Sequence, residues 1–281
     1  MKSVFAKVRR ATRNWRLKLA NRFSRRSVTG YGAAVVSLTT HGIRLAQVYL
    51  TIESIAAGQI RPNRLVLWLN PGPNNTVLPA TLRRLQKRGL EICFSDNYGP
   101  HTKYFPYVAS VKTHELPLVT ADDDVIYPSY WLHELVVAHT AEPQHVHCYR
   151  ARRIQLSANA LKSYEEWAFV DSKGPSILNF ATGVSGVVYP PALLDALREA
   201  GSTFMACCPK ADDVWLHAMA LRCGYKIKQL SASYRDFPVA PMTQGLALYI
   251  NNSLPEGNDK QITMTYTASD IEALVQENAV Y

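Results

Sequence analysis

Three consecutive aspartates, Asp122, Asp123 and Asp124, stand between the apolar runs Leu116 to Ala121 and Val125 to Pro128. Acidic triplets usually belong to solvated loops, but these flanks read as the end of a buried strand and the start of another apolar segment. Carboxylates at the edge of a core repel one another and lose hydration, so a positive partner is expected beside them. Side chains alternate along an extended chain, which sends Asp122 and Asp124 to one side and Asp123 to the other. Two hard oxygen ligands on one side suit a divalent cation. Because Mg²⁺ is usually shared between one or two carboxylates and phosphate oxygens, the ligand implied is a diphosphate.

Other segments carry weaker signals. Asp212 and Asp213 open a helical pattern that runs to about Cys223. An acid there can cap the helix and complement its dipole, yet only one of two neighbours can be the cap, which leaves the other to face a pocket. Ser37-Leu38-Thr39-Thr40-His41-Gly42-Ile43-Arg44 puts hydroxyls and an arginine at a strand end, suited to a base, ribose or phosphate, or equally to capping the next helix. Asp96 to Lys103 holds a Gly-Pro turn and places a lysine where a helix opens, a position that attracts phosphate. By itself that segment is a turn followed by a solvated lysine. Gly183-Val184-Ser185-Gly186 reads as a strand-entry turn. His145 and His147 share a strand face but lack a thiolate cluster, a poor case for Zn²⁺, and Cys207-Cys208 reads as buried filler.

The elements that must position these groups alternate. Strand patterns at Ala33 to Leu38, Arg64 to Leu69, Leu90 to Phe94 and 116 to 121 are separated by helical patterns at Leu45 to Ile55, Leu78 to Arg88 and Lys103 to Val111. Such alternation means βαβ units and a parallel sheet covered on both faces, with ligands at the carboxyl ends of the strands. The second half is more broken. It offers a helix at Ser129 to Ala141, strands at 145 to 149, 187 to 189 and 225 to 230, a helix from Pro190-Pro191 to Ala200, no periodicity over 232 to 262, and a terminal helix at Ser269 to Glu277.

With 281 residues, 47% of them hydrophobic, the chain can bury a sizeable core. Its net charge of +9 suggests nucleic acid until it is divided: residues 1 to 26 hold ten of the 31 Lys and Arg and no acid, leaving 21 basic against 22 acidic residues in the body. Nucleic-acid binding therefore gains no support. Val4, Val8, Ala11 or Thr12, Trp15, Leu19 and Phe23 recur every three to four residues within that basic stretch, the pattern of an amphipathic helix lying on an anionic membrane surface. A disordered leader and a helix packed on its own domain are the alternatives. Residues 1 to 30 are thus expected to be an arm and 31 to 281 one domain. Five cysteines without C-x-x-C spacing read as reduced thiols, and no apolar run of about 20 residues or signal sequence is present. The expected location is the cytoplasm, peripheral on the inner face of the cell membrane.

Val36-Ser37-Leu38-Thr39-Thr40 with Arg44, Asp96 to Lys103, Thr120 to Pro128, Gly183 to Pro191, Ala211 to Leu216 and Asn258-Asp259 occur in the order seen in bacterial glycosyltransferases of the GT-A fold, family 2-like. The sequence resembles that family over residues 33 to 262. The resemblance implies an α/β, Rossmann-like, mixed and mainly parallel sheet, and Mn²⁺ or Mg²⁺ held by Asp122 and Asp124. It implies a nucleotide-sugar donor, usually a UDP-sugar, with Ser37, Thr39, Arg44, Asp96, Lys103, Asp122 and Asp123 around the nucleotide. Gly183, Val184, Ser185 and Gly186 would lie beside donor sugar and acceptor, and Asp213, paired with Asp212, would be the base of an inverting transfer to a hydroxyl of a glycan or lipid-linked acceptor. Many such enzymes add a C-terminal histidine to the metal shell. Here the last histidine is His217, so Asn258, Asp259, water or diphosphate would substitute. A retaining enzyme of the same fold, a sugar nucleotidyltransferase and a non-catalytic membrane adaptor are the competing readings. The second should show an early glycine-rich phosphate loop, which Gly30, Gly32 and Gly42 do not form; the third should not release nucleotide from a donor.

Overall fold

Successive residues of the central strands belong to two different cores. The computed structural model describes residues 2–72, 77–241 and 257–280. In β1 (Gly32–Thr39), Ala34, Val36 and Leu38 join one apolar cluster and Val35 the other; in β2 (Pro62–Leu69), Leu65, Leu67 and Leu69 part in the same way from Val66 and Trp68. This is the period-two alternation of a sheet buried on both faces. One cluster is covered by α1 (Lys2–Phe23), α2 (Val48–Ala56), α3 (Ala80–Gln86) and α5 (Trp131–Ala141). The other is covered by α4 (Phe105–Ser110), α6 (Pro191–Ala200), α7 (Phe204–Cys207), α8 (Asp212–Arg222), α9 (Gly257–Thr265) and α10 (Ala268–Val280).

The remaining strands are β3 (Leu90–Phe94), β4 (Leu118–Thr120), β5 (His145–Cys148), the short β6 (Ala151–Arg153), β7 (Leu156–Ser157), β8 (Ala160–Leu161) and β9 (Asn179–Ala181), then β10 (Val187–Tyr189) and β11 (Lys226–Gln229). Seven of them form the main sheet in the order β11-β5-β10-β4-β1-β2-β3. All neighbours are parallel except β10, which runs antiparallel to both β4 and β5. The architecture is therefore the expected α/β one: a mixed, mainly parallel Rossmann-like sheet with helices on both faces.

Two local differences bear on the site. The helix expected over 103 to 111 divides into a 3₁₀ turn, Gly99–Lys103, and α4, each with proline near its start. The strand expected over 116 to 121 is paired as β4 only at 118 to 120, so the chain leaves the ladder just before the aspartates.

Helix α1 packs on its own domain. Leu17 is buried, and Asn21 donates to Glu53 Oε1 (3.1 Å) and to the Thr81 carbonyl (3.2 Å) while accepting from Arg84 (2.8 Å). Buried Glu53 also pairs with Arg88. Leu17 and Val28 thus belong to the core of the body, while Val8, Trp15 and Phe23 remain exposed and the Val4 side chain lies outside the described residues. Among the described residues no helix is long and apolar enough to cross a membrane. All five cysteines are free thiols.

Candidate functional site

Parallel β1 and β4 end at the same sheet edge at which antiparallel β10 begins. That arrangement gathers Thr39, His41 and Arg44, the aspartate triplet, and Gly183 and Val184 around a cavity of about 500 Å³, whose far wall carries Asp212 and Asp213.

Asp123 and Asp124 lie in a turn and not in the extended chain expected, yet the members of the triplet separate as the alternation anticipated. Asp123 turns inward, 5% exposed, and accepts from the Thr40 hydroxyl and from Arg44 (2.9 Å), while its carbonyl accepts from Thr51. Burial pushes its pKa up against the pull of Thr40 and Arg44. It is first of all an internal anchor, although its edge reaches the cavity. Asp122 and Asp124 line the cavity more openly. Asp122 lies 3.3 Å from Lys103 Nζ and its amide donates to the Tyr127 hydroxyl (2.9 Å); Asp124 lies 3.4 Å from Arg44. Burial, then repulsion from Asp122 and Asp123, raises the Asp124 carboxyl to about 6. The positive partner expected beside the triplet is thus split between Arg44 and Lys103.

Lys103 ties the two acidic motifs together, its ammonium lying 3.0 Å from Asp212 Oδ2 as well as near Asp122. Burial opposes its charge, but Asp212, Asp122 and Asp213 outweigh that, holding its pKa well above the ordinary lysine value. The turn that carries Lys103 is fixed by buried His101, whose Nε2 is 2.8 Å from the Cys208 carbonyl and whose ring stacks on Phe204 at 4.0 Å. Neither acid of the second pair is the helix cap. Ala211 occupies that position without a side-chain bond, and both acids sit in the first turn of α8. Asp213 accepts from the Gly183 amide (2.9 Å), a close approach: a Cβ there would stand 3.0 Å from Asp213 Oδ1 and 3.1 Å from Lys103 Nζ, so those side chains would have to give way. Burial and then the neighbouring Asp212 push the Asp213 carboxyl up to about 7.

Thr39, Arg44, Lys103, Asp122, Asp123, Asp124, Gly183, Val184, Asp212 and Asp213 therefore meet in one cavity. Four expected residues do not. Ser37 is fully buried in β1, where its hydroxyl accepts from the Trp68 indole (3.0 Å), because its place in the strand turns it into the sheet. Asp96 is exposed to solvent outside the cavity wall. Ser185 is buried with φ of 77°, its carbonyl accepting from Trp131 (2.7 Å), and Gly186, φ 100°, backs onto the Trp131 ring with no room for a Cβ. The second half of that turn serves the core. Asp259 is engaged by Ser163 and the Tyr164 amide, whereas Asn258 lines the cavity.

Tyr164, Phe180, Asn70, Asn97 and Lys210 also line the cavity without having been singled out from the sequence. Lys210 adjoins the acid pair and Asn97 adjoins Asp96, so position along the chain was the available signal for them. Tyr164 arrives from an aperiodic stretch and carried none.

The donor set suits Mg²⁺ or Mn²⁺: two oxygen ligands, Asp122 and Asp124, on a crowded acidic wall. Among the described residues no group of three or more His, Cys, Asp or Glu is placed to hold a metal, so the chain would leave several positions to phosphate and water, and His145 and His147 form no such group.

No protein-family model and no curated protein sequence matches the chain. Solved structures do. TarS residues 1–349 from S. aureus superposes with a TM-score of 0.50 at 13% identity, over 87% of this chain and 69% of that one. The likeness is one of fold. The mannosyltransferase PcManGT from Pyrobaculum calidifontis, solved with GDP-Man and Mn²⁺, gives 0.47 at 13% identity over 95% of this chain and 81% of that one. A CMP:2-keto-3-deoxy-manno-octonic acid synthetase complexed with CTP gives 0.46 at 10% identity over 76% and 95%.

Proposed function

We propose that the protein is a metal-dependent glycosyltransferase that moves a sugar from a nucleotide-diphosphate donor, in the first instance a UDP-sugar, to a hydroxyl of a glycan or lipid-linked acceptor with inversion. The observation that carries this reading is the convergence of Asp122 and Asp124 with Asp212 and Asp213 across one cavity, joined by Lys103. Asp122 and Asp124 would hold Mn²⁺ or Mg²⁺, which when bound neutralises charge on the departing diphosphate. Thr39, Arg44 and Lys103 border the same space and offer a hydroxyl and two cations to the nucleotide.

Asp213 suits the general base. A carboxyl raised to about 7 is a far better proton acceptor than an ordinary aspartate and is still substantially ionised near neutrality. The Gly183 amide fixes its orientation and leaves its second oxygen for an acceptor hydroxyl. Gly183 and Val184, with Tyr164 and Phe180, would form the acceptor side.

Thermal melts with Mn²⁺ and a panel of nucleoside diphosphates test the donor site, since ligand at 100 times its dissociation constant stabilises by about 2.7 kcal/mol. Release of nucleoside diphosphate from the matching nucleotide sugar then tests turnover. Absence of metal-dependent stabilisation by every nucleotide would overturn the reading, whereas binding without release would leave a non-catalytic protein.

A further inference from the structure

Helix α1 presents two opposed faces, and only one of them is used by the fold. Asn14, Leu17 and Asn21 are buried, and Asn21 is pinned to α2 and α3 through Glu53, Thr81 and Arg84. Half a turn of the helix away, Val8, Thr12, Trp15, Leu19 and Phe23 form a stripe at the spacing of one helical face. Three of its large side chains are open to water, Val8 being 56%, Trp15 61% and Phe23 72% exposed, with Leu19 half-buried between them. One edge of this stripe carries Arg9 and Arg16 and the other Lys18 and Arg22, all exposed, and the helix holds no acidic residue.

The geometry points to an anionic lipid surface as the occupant of this stripe. Apolar side chains enter the acyl boundary while flanking cations meet lipid phosphates, the division of labour of a helix lying in the interface. Charge complementarity selects an acidic membrane, since each basic residue near such a surface adds about 1 kcal/mol of attraction, about fivefold in partitioning. The buried face makes the docking oriented: α1 is fixed to the body, so the body is fixed to the membrane. Arg10 reaches the Val239 carbonyl (3.3 Å), and Val239 is bridged to Val125, one residue past the aspartate triplet. That contact is on the body-facing side of α1, so docking would set the segment carrying Asp124 behind the helix, one helix diameter (~10 Å) from the lipid. The docking itself does not depend on the sugar-transfer reading.

The test is co-sedimentation of the full chain with vesicles of phosphatidylcholine alone and of phosphatidylcholine mixed with phosphatidylglycerol. Binding is expected to the mixed vesicles only, and to fall as salt is raised. Arg16→Gln with Arg22→Gln should raise the lipid needed for half binding by roughly twenty-fivefold, from about fivefold per charge. Trp15→Ser with Phe23→Ser should abolish binding while the melting temperature and nucleotide binding stay those of the parent, because both side chains point into water. No sedimentation with mixed vesicles, equal sedimentation with neutral ones, or undiminished binding by the Trp15 and Phe23 variant would each overturn the inference. So would capture by duplex DNA that the apolar replacements leave unchanged, which would make the helix a nucleic-acid contact.

Discussion

Lys103 Nζ lies 3.0 Å from Asp212 Oδ2, a buried contact that joins the end of the third βα connection to the first turn of α8. The same ammonium faces Asp122, so one cation holds two acidic motifs that would otherwise repel. Removing one partner of a buried pair typically costs about 3 to 5 kcal/mol, because the other charge is left uncompensated. Lys103→Met should therefore lower stability in urea by about that amount and widen the cavity at the nucleotide's expense. Adding Asp212→Asn to it should recover most of the loss. Independent, additive effects of the two substitutions would show that the contact does not couple the motifs.

Asp213 should be the group that sets turnover. Asp213→Asn keeps an acceptor for the Gly183 amide and removes a costly buried charge, so it should fold and bind donor normally while transferring sugar about 10²- to 10⁴-fold more slowly. Asp212→Asn should be much milder in turnover, since that acid is turned to Lys103. Rate should rise with pH through about 7 as the base ionises. Stability has the opposite sign. The folded protein holds this proton more tightly than an unfolded chain with the ordinary value of 3.8, so the contribution is present at low pH and lost as pH rises from about 4 to about 7. The asparagine variant should show a shallower decline of Tm across that window. An unchanged rate in Asp213→Asn would leave the acid pair structural and favour a retaining mechanism.

The sheet was legible because its strands are short apolar runs separated by helical patterns, and the triplet because its flanks are strand-like. What local pattern did not supply was depth. Ser37 and Thr39 look alike in the sequence, yet only Thr39 reaches the cavity, since Ser37 is paired with both β2 and β4 whereas Thr39 pairs with β2 alone, past the end of β4. Ser185 and Gly186 belong to the core because Trp131, more than fifty residues earlier, packs beneath them. For α1, hydrophobic periodicity identified the stripe correctly but not its direction. Asn14 and Asn21 give no apolar signal for the opposite side, which is buried through Leu17 and through the hydrogen bonds of Asn21 to Glu53 and Arg84.

Adjacent aspartates of the triplet should behave in opposite ways. Asp124→Asn relieves repulsion from Asp122 and Asp123, so its melting temperature should equal or exceed that of the parent, yet Mn²⁺-dependent binding of nucleoside diphosphate should disappear. Asp123→Ala removes the 2.9 Å partner of buried Arg44 and the acceptor of the Thr40 hydroxyl, so it should cost stability, up to about 3 to 5 kcal/mol, whatever becomes of the metal. Calorimetric titration with Mn²⁺ and UDP, read alongside urea denaturation, separates the two. Tight metal-dependent binding by Asp124→Asn would remove that residue from the ligand set.

The last prediction concerns the attachment of α1. Sequence division at residue 30 expects an arm that can be cut away, whereas Asn21 is 2% exposed and links Glu53, Thr81 and Arg84. Asn21→Ala would leave part of that buried polar set unsatisfied, at about 1 to 3 kcal/mol. Deleting residues 1 to 26 should cost more, because Leu17 also leaves the cluster that α2 and α3 share with the sheet. Amide exchange in α1 should accelerate in Asn21→Ala well before exchange in β1, reporting release of the helix ahead of global unfolding. Trp15→Ser, on the outward face, should change neither exchange nor stability. A truncated chain that melts at the parent temperature would show that α1 rests on the domain without supporting it.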